Sequence, residues 1–363
     1  MRNNSWIYSI LIPVVFFCTC SKSSVSNSSG QDDQLVIEVK KWYNDYKGAV
    51  TITYDSGWRH SIRNTVEEVI NRNMHMDLEL VTSNYDDETG SQYIEEMKRD
   101  LIPNGIHFFG HGHEHINHDE LTYEEAYQSF KTCYDLMESW ELPPLVYAYP
   151  GARGYNSSTQ QACQDAGFIS ARGYTKEPDE FYICPDSIQE PDNWFYLPSI
   201  PIAQKNDGFV HTHTELVNYL DTALEKSAWV IIMYHAIGVE DSFGYYPYED
   251  FVSDLDYIDK SGFWNVNYDS IVVYIKERNS FHVNYERLFE SEDTLSYSAQ
   301  FCDDKDNNIF NHPLTLQLAY NGDCENYKIE SEAEGVVFSG KFVDGIAYIN
   351  QIPDEKTYTI IIY

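Results

Sequence analysis

The sequence has little positive charge. Its 24 Lys and Arg residues stand against 58 Asp and Glu residues, which gives a formal net charge of −34 at pH 7. Nucleic acid and anionic membrane surfaces repel such a chain, so the charge argues against both as partners. Neutral and cationic substrates remain compatible with it. The 363 residues exceed what one small core needs, and we expect one large domain plus a small one.

The start of the sequence lacks a membrane-spanning run. The apolar stretch at residues 7–17 has 11 residues, which is too short to cross a bilayer. A basic residue precedes it and Cys18 and Cys20 follow it, a pattern typical of a bacterial lipoprotein signal peptide. We expect residues 1–20 to form this signal segment, with Cys20 as the lipidated residue. Cys18 is the alternative, and an ordinary signal peptide with incidental cysteines is the other interpretation.

The residues after this segment are rich in Ser, Asn and Gly, and 21–45 are predicted to form a flexible tether. The mature protein is therefore expected in the cell envelope. A membrane is expected as a partner only through the lipid at Cys20.

No cysteine pair has the spacing of a zinc site. Beyond the signal segment the sequence contains Cys133, Cys163, Cys184, Cys302 and Cys324. This pattern does not support a cysteine-ligated metal. An oxidising compartment would allow a disulfide between Cys302 and Cys324. The odd number leaves at least one thiol free.

The hydrophobic pattern divides the rest of the chain in two. Over residues 46–280, short apolar strand-like runs alternate with helix-like segments, which predicts a parallel sheet or barrel. Over residues 281–363 the pattern alternates with period two, and Asn-Gly and Asp-Gly turn dipeptides separate the runs. We predict a small β-sandwich module there. That module shows no cluster of titratable residues.

Histidine is concentrated in one short segment. Five of the twelve histidines lie between positions 107 and 118, directly after an apolar strand-like run. Imidazole is the commonest metal ligand and a frequent acid or base near neutral pH. Other polar residues also follow predicted strands, notably Asp55, Arg172 and His235. Because reactive groups of αβ barrels lie at the carboxyl ends of the strands, we expect these side chains to converge on one mouth.

Four segments at these strand ends resemble the motifs of the polysaccharide deacetylases, carbohydrate esterase family 4 (the NodB-homology domain). They are T-Y-D-S-G at residues 53–57, H-G-H-E-H at 111–115, Y-A-Y-P-G at 147–151 and M-Y-H at 233–235. The resemblance covers roughly residues 48–279. It implies a distorted (β/α) barrel that removes N- or O-linked acetyl groups from an acetylated glycan.

The resemblance also implies roles for individual residues. Asp55 would be the general base for the attacking water. His111 and His115 would bind a divalent, zinc-like ion, with no organic cofactor. The backbone N–H of Gly151 would help hold the oxyanion, and His235 would be the general acid. A rival register of the histidine motif would use His113 or His118 as a ligand.

Two residues depart from the family pattern. Ser56 stands where the family has a second Asp that binds the metal, which removes an anionic ligand and weakens the expected site. Ala148 stands where the third motif has an Arg that orients the base. Arg172 could supply that cation, or it could only pair with a structural carboxylate, and Arg153 is a less well placed alternative. The fourth motif can only be suggested near residues 192–194.

Three other functions stay open. A metal-independent amidohydrolase on the same scaffold would resemble the allantoinase-like branch, and metal content would distinguish it. Ser56 and Ala148 favour a degenerate glycan-binding lipoprotein without activity, whereas the retained Asp55 and His235 oppose it, because a pure binder needs no acid–base pair. A scaffold whose β module docks a partner is the third.

Overall fold

The computed structural model describes residues 35–363 except for 56, 58–61, 143, 176, 206–207 and 292. The predicted signal segment, the predicted lipidation site Cys20 with its alternative Cys18, and Ser56 all lie outside the described residues. Within the described part, each helix is too short or too polar to cross a membrane.

The strands form one large parallel sheet and several smaller sheets. Their bounds are β1 Leu35–Val39, β2 Gly48–Tyr54, β3 Met76–Leu80, β4 Ile106–Gly110, β5 Val146–Ala148, β6 Ser170–Arg172, β7 Ile200–Pro201, β8 Trp229–Tyr234, β9 Ala236–Ile237, β10 Tyr245–Tyr246, β11 Phe263–Asn265, β12 His282–Glu290, β13 Leu295–Cys302, β14 Leu314–Tyr320, β15 Asn326–Ser331, β16 Gly335–Lys341, β17 Ile346–Gln351 and β18 Thr357–Ile362.

The helices lie between the strands of the first part of the chain. Their bounds are α1 Arg63–Asn71, α2 Glu88–Glu96, α3 Tyr123–Ser139, α4 Ser157–Asp165, α5 His213–Glu225, α6 Tyr248–Lys260 and α7 Tyr268–Ser280. The start of α3 is fixed by a capping box, in which Thr122 and Glu125 exchange side-chain and backbone hydrogen bonds. This arrangement satisfies backbone N–H groups that have no partner inside the helix.

The parallel strands curl into a half-barrel. Their order is β6-β5-β4-β3-β2-β8-β7, and β11 also pairs with β2. Strands β2 and β8 are buried at every position, as expected for a parallel sheet that is covered on both faces. Two antiparallel sheets follow, β1-β14-β17 and β12-β13-β18-β15-β16. The predicted α/β class, with a barrel-type parallel sheet and additional antiparallel sheets at the C-terminal end, is confirmed.

Two clusters of buried apolar residues hold these parts together. One lies between the outer face of the parallel sheet and its helices. The other begins inside the half-barrel with Phe109 and Trp229, continues through Ile271 of α7, and reaches Leu316 and Ile360 of the antiparallel sheets. Helix α7 therefore joins the half-barrel and the C-terminal sheets in one continuous core.

Two expectations from the sequence need correction. The tether predicted for residues 21–45 does not extend to residue 45, because Leu35–Val39 forms β1 and pairs with β14. The alternating side chains of β1 bury Leu35 and Ile37 against the C-terminal sheets, which stabilises the strand. Cys302 and Cys324 are both free thiols, so the disulfide that the sequence allowed is not formed in this structure.

Candidate active site

Asp55 and His235 emerge side by side from two neighbouring strands. Strands β2 and β8 are parallel and in register, with Tyr54 opposite Tyr234, and the backbone N–H of Asp55 donates to the Tyr234 carbonyl at 2.8 Å. The next residue on each strand therefore lies at the same edge of the sheet. His235 Nε2 is 2.9 Å from Asp55 Oδ2, and both side chains are about one-sixth exposed.

His111 approaches the same carboxylate from the opposite side. It follows β4, and its Nδ1 lies 3.0 Å from the Ala148 carbonyl oxygen. A carbonyl only accepts hydrogen bonds, so Nδ1 carries the proton. The other nitrogen, Nε2, lies 3.2 Å from Asp55 Oδ1, but it is buried and has no hydrogen-bond partner of good geometry.

A glycine turn returns His115 to the ring of His111. The two rings lie 4.9 Å apart, and His115 is exposed where His111 is buried. Gly112 has a φ of +93°, and a Cβ at this position would lie 2.5 Å from the Glu114 carbonyl oxygen. Glycine is thus required for the turn that brings the second histidine back. This explains Gly112 at the position of the family's hydroxyl residue.

These side chains fit a divalent metal ion. Asp55, His111 and His115 each offer one ligand atom, and the three atoms lie within 4.8 Å of one another. A buried imidazole nitrogen without a hydrogen-bond partner, fixed by a proton on its other nitrogen and facing a carboxylate oxygen, is the arrangement that a cation completes. Two imidazoles and one carboxylate are a common ligand set for catalytic zinc.

Glu79 and Arg172 lie behind His111, and the sequence did not predict Glu79. The carboxylate of Glu79 forms an ion pair with Arg172, and its other oxygen, Oε2, lies 3.0 Å from His111 Nδ1. Both side chains are essentially inaccessible to solvent, at 0% and 1% exposure. The signal for Glu79 was an acid between two leucines in a short strand, a pattern that equally fits an exposed strand face.

Charge within the cluster shifts the pKa values of Asp55 and His111. Burial opposes ionisation of Asp55, but His111 and His235 outweigh it and hold the pKa of the carboxyl well below its usual range. Burial likewise opposes protonation of His111, whereas the Asp55 and Glu79 carboxylates raise its pKa above the ordinary value. Asp55 is therefore anionic near neutral pH, as a base or a metal ligand requires.

The other predicted residues lie around this centre. Gly151 has a φ of +62° in the tight turn that follows β5, three residues after the Ala148 carbonyl that holds His111. Arg172 contacts Glu79 and not Asp55, so its influence on the base passes through Glu79 and His111. Arg153 is half-exposed and lies 3.7 Å from Glu120. The Trp194 ring packs against Lys276 of α7.

The rival histidines have other partners. His113 Nδ1 lies 3.2 Å from the Thr82 hydroxyl. His118 is buried, stacks on Phe130 and lies 3.0 Å from the Ser129 hydroxyl. Burial lowers the pKa of His118 to about 4. The geometry therefore groups His111 and His115, and neither rival, with Asp55.

The rim beside His235 carries an exposed aromatic side chain. The Phe243 ring lies edge-on to His235 at 5.2 Å and is 66% exposed. Gly244 permits this approach, because a Cβ there would lie 2.5 Å from the Cβ of His235. An exposed ring that contacts a site residue is available to an apolar sugar face.

Comparison with known proteins points to one family. Residues 43–171 match the model of the family described as polysaccharide deacetylase. No curated protein matches the chain. The matched segment includes Asp55, Glu79, His111, His115 and Gly151, and ends just before Arg172. Together with the fold, this match supports a polysaccharide deacetylase domain in the first part of the chain.

Several solved structures are similar to this chain, and one of them, with a TM-score above 0.5, supports the fold. A protein of Mycobacterium smegmatis, described as a provisional polysaccharide deacetylase, has a TM-score of 0.51 at 11% identity, over 67% of this chain and 94% of its own. The peptidoglycan deacetylase PdaC from Bacillus subtilis gives a TM-score of 0.41 at 13% identity, over 64% and 93% of the two chains. The Xyl-CE4 domain of a xylanase from the hindgut metagenome of Trinervitermes trinervoides gives 0.42 at 12%, over 63% and 91%.

Proposed function

We propose that this protein removes acetyl groups from a polysaccharide by metal-assisted attack of water. The observation that carries the proposal is the position of Asp55, whose two carboxylate oxygens lie 3.2 Å from His111 and 2.9 Å from His235 at the mouth of the half-barrel. A carboxylate that lies between an imidazole suited to bind a metal and an imidazole suited to donate a proton can itself accept a proton. The two imidazoles hold it in place. The match to the polysaccharide deacetylase family supports the assignment.

His111, His115 and Asp55 would hold the metal ion, which when bound polarises the acetyl carbonyl and lowers the pKa of water. Asp55 would accept the proton of the attacking water, for which its depressed pKa keeps it ionised. The N–H of Gly151 would donate to the oxyanion of the tetrahedral intermediate. His235 would then donate a proton to the departing sugar nitrogen or oxygen, and acetate and the deacetylated glycan would leave.

The surroundings of the site suit a neutral sugar chain. Phe243 offers an exposed ring at the rim, next to the proposed general acid. The chain charge of −34 does not repel a neutral glycan, and it attracts the cationic amine that amide hydrolysis would release. We further propose that the protein acts in the cell envelope, attached to a membrane by a lipid on Cys20.

A metal-independent amidohydrolase is the second candidate function. It is favoured by the neutral residue at position 56 and by the two roles that the metal-assisted reaction gives Asp55, because coordination to a cation weakens a carboxylate as a base. In that reaction His111 would be a cation that holds Asp55, as its raised pKa allows. A binding protein without activity is disfavoured, because His235 and Asp55 retain a proton-transfer geometry that binding does not need.

Acetate release tests the proposal. Chelated wild-type protein would be assayed on acetylated glucosamine oligomers and on acetyl-xylan, with and without added Zn²⁺ or Co²⁺. We expect acetate from at least one substrate, with activity lost on chelation and restored by the ion. Activity that survives chelation unchanged would favour the metal-independent reaction, and no release from either substrate would contradict the proposed function.

A further inference from the structure

Glu79 is a buried carboxylate that the proposed mechanism does not use. It lies on β3, whose five residues are all buried, and its side chain has no exposed surface. Its carboxylate forms an ion pair with the Arg172 guanidinium, which is also buried. An acid in such a place is costly unless its charge serves a partner.

The two oxygens of Glu79 have different surroundings. One oxygen is held by Nη2 of Arg172. The other terminal nitrogen of that guanidinium, Nη1, donates to the Ser199 hydroxyl at 3.4 Å. The second oxygen, Oε2, has no hydrogen-bond partner of good geometry, although it lies 3.0 Å from His111 Nδ1. The proton on Nδ1 is directed to Ala148, so the free oxygen acts on the imidazole through its charge rather than through a linear hydrogen bond.

This arrangement bears on the absence of an Asp at position 56. With Ser56 in place of an Asp, the ligand set holds one carboxylate and two neutral imidazoles, and it binds a divalent ion less tightly than a set with two carboxylates. A carboxylate behind a ligating histidine makes the imidazole a stronger donor. Glu79 lies in that position relative to His111, on the side away from Asp55.

We propose that Glu79 is a positioning residue of the metal site, where its carboxylate beside His111 strengthens this ligand and offsets the neutral Ser56, while the ion pair with Arg172 holds Glu79 in place. The inference rests on the proposed metal-assisted function. The three partners act differently, because Ala148 fixes the tautomer of His111, Glu79 polarises the ring, and Arg172 anchors Glu79. Neither Glu79 nor Arg172 needs to touch substrate.

The test measures affinity for Zn²⁺ and Co²⁺ alone, by competition with a chromophoric chelator, in chelated full-length protein. Glu79→Gln keeps the shape and removes the charge, and we expect a 10- to 100-fold loss of affinity, the usual effect of removing such a partner. Asp77→Asn is the matched control, because Asp77 is also buried, lies on the same face of β3 and binds Asn267 and the Tyr268 backbone instead. We expect its affinity to stay within about threefold of wild type.

Ser56→Asp in the Glu79→Gln background provides the rescue. If Glu79 acts through charge at the metal site, an Asp at the position of the family's metal-binding Asp should restore affinity to near the wild-type value. A double variant, Glu79→Gln with Arg172→Met, guards against misfolding from an unpaired buried Arg172, and it should show the same loss as Glu79→Gln. Circular dichroism and the d–d absorption of bound Co²⁺ would establish that each protein is folded and that the ligand geometry is retained.

The outcomes separate this inference from the proposed function. Wild-type affinity in Glu79→Gln, or equal losses in Glu79→Gln and Asp77→Asn, would overturn the role of Glu79 and leave the deacetylase proposal intact. Wild-type protein that binds neither ion but releases acetate would also overturn it, and would assign the reaction to the metal-independent alternative. Failure of wild type both to bind ion and to release acetate would overturn both proposals.

Discussion

Strand β3 carries two buried acids, Asp77 and Glu79, and the clusters around them differ in how fully their polar atoms are paired. Glu79, near the carboxyl end of β3, belongs to the cluster with His111, Asp55 and His235. Asp77 lies two residues earlier on the same face and belongs to a cluster with His107 and Asp269. Both clusters contain two carboxylates and at least one histidine, so residue type alone does not distinguish them.

The cluster at Asp77 is saturated with partners. Asp77 Oδ1 accepts from Asn267 at 3.2 Å, and its Oδ2 accepts from the backbone N–H of Tyr268 at 3.0 Å, at the start of α7. Asp269 Oδ2 lies 3.1 Å from His107 Nδ1, and its Oδ1 accepts from Ser270. Asp77 thus caps α7, and the positive end of that helix disfavours a cation there.

The space beside this second cluster offers no further ligands. A cavity of about 60 Å³ next to His107 and Asp269 is otherwise lined by the apolar side chains of Ile102, Phe108 and Leu142. In the cluster of Asp55, by contrast, His111 Nε2 and Glu79 Oε2 are buried without hydrogen-bond partners. Buried polar atoms without partners next to the partly exposed Asp55, and not the number of acids, distinguish this cluster from the one at Asp77.

The largest difference between the two clusters is expected in catalysis. Asp55→Asn removes the proposed base and a metal ligand, and we expect kcat/KM for acetate release to fall about 10³-fold, within the usual range for acid–base catalysis. Asp77→Asn should retain most of the activity at a temperature where it is folded. Circular dichroism would serve as the folding control. Retention of more than a tenth of wild-type activity by Asp55→Asn would contradict its assignment as the base.

The two histidine registers should separate in metal binding. His115→Ala removes one of the two proposed imidazole ligands, and we expect the affinity for Zn²⁺ to fall at least 10- to 100-fold. His113→Ala removes the contact with Thr82 and leaves both proposed imidazole ligands in place, so this variant should bind Zn²⁺ normally. Chelator competition on both variants measures the difference. A larger loss in His113→Ala than in His115→Ala would favour the rival register.

The exposed rim should contribute to substrate binding. Phe243→Ala removes a ring that is 66% exposed and lies against His235. We expect KM for a glycan oligomer to rise about tenfold, which corresponds to about 1.4 kcal/mol, with a smaller change in kcat. Leu288→Ala, which truncates another exposed apolar side chain on β12, is the control. An unchanged KM in Phe243→Ala would remove Phe243 from the binding surface.

The cluster of Asp77, His107 and Asp269 should make the stability of the protein depend on pH. Burial, followed by repulsion from Asp269, raises the pKa of Asp77 to about 8. In the unfolded chain an Asp titrates near its ordinary value of about 3.9. Between these values the folded state holds a proton that the unfolded state has released, so stability falls as pH rises from about 4 to about 8.

Asp77→Asn has no such proton to lose. We expect its drop in Tm between pH 5 and pH 8 to be smaller than that of wild type. The difference should be about 2–4 °C for each kcal/mol of stability that wild type loses through the proton on Asp77. Burial opposes protonation of His107, but Asp269 outweighs it and raises the pKa of His107 to about 9, so a residual drop above about pH 6.5 should remain. Parallel Tm profiles for the two proteins would show that Asp77 is ionised in the folded state at neutral pH.

The sequence predicted the parts of the site that follow strands. Asp55, His111 and His235 each come directly after a buried strand, and parallel strands end at a common edge, so their convergence could be expected. Glu79 could not be recognised, because acids that alternate with apolar residues in a five-residue strand do not reveal that both faces of the strand are covered. The turn at Gly112 and the partner of Arg172 likewise depend on contacts between distant segments.

The fold, too, could be predicted from the sequence only in part. Alternating strand and helix patterns predicted the parallel sheet, because its central strands β2 and β8 are short runs of apolar and β-branched residues. Strand β1 was missed because it adjoins a polar segment, and only its pairing with β14, far along the chain, stabilises it. That pairing also places the start of the described chain in the C-terminal sheets.

The most direct test of the account compares acetate release by chelated wild type, Asp55→Asn and Asp77→Asn, each with and without added Zn²⁺. We predict that the ion restores release by wild type and by Asp77→Asn, and that Asp55→Asn stays inactive in both conditions. Equal release by Asp55→Asn and Asp77→Asn would contradict the claim that the open cluster at the carboxyl ends of the strands performs the reaction.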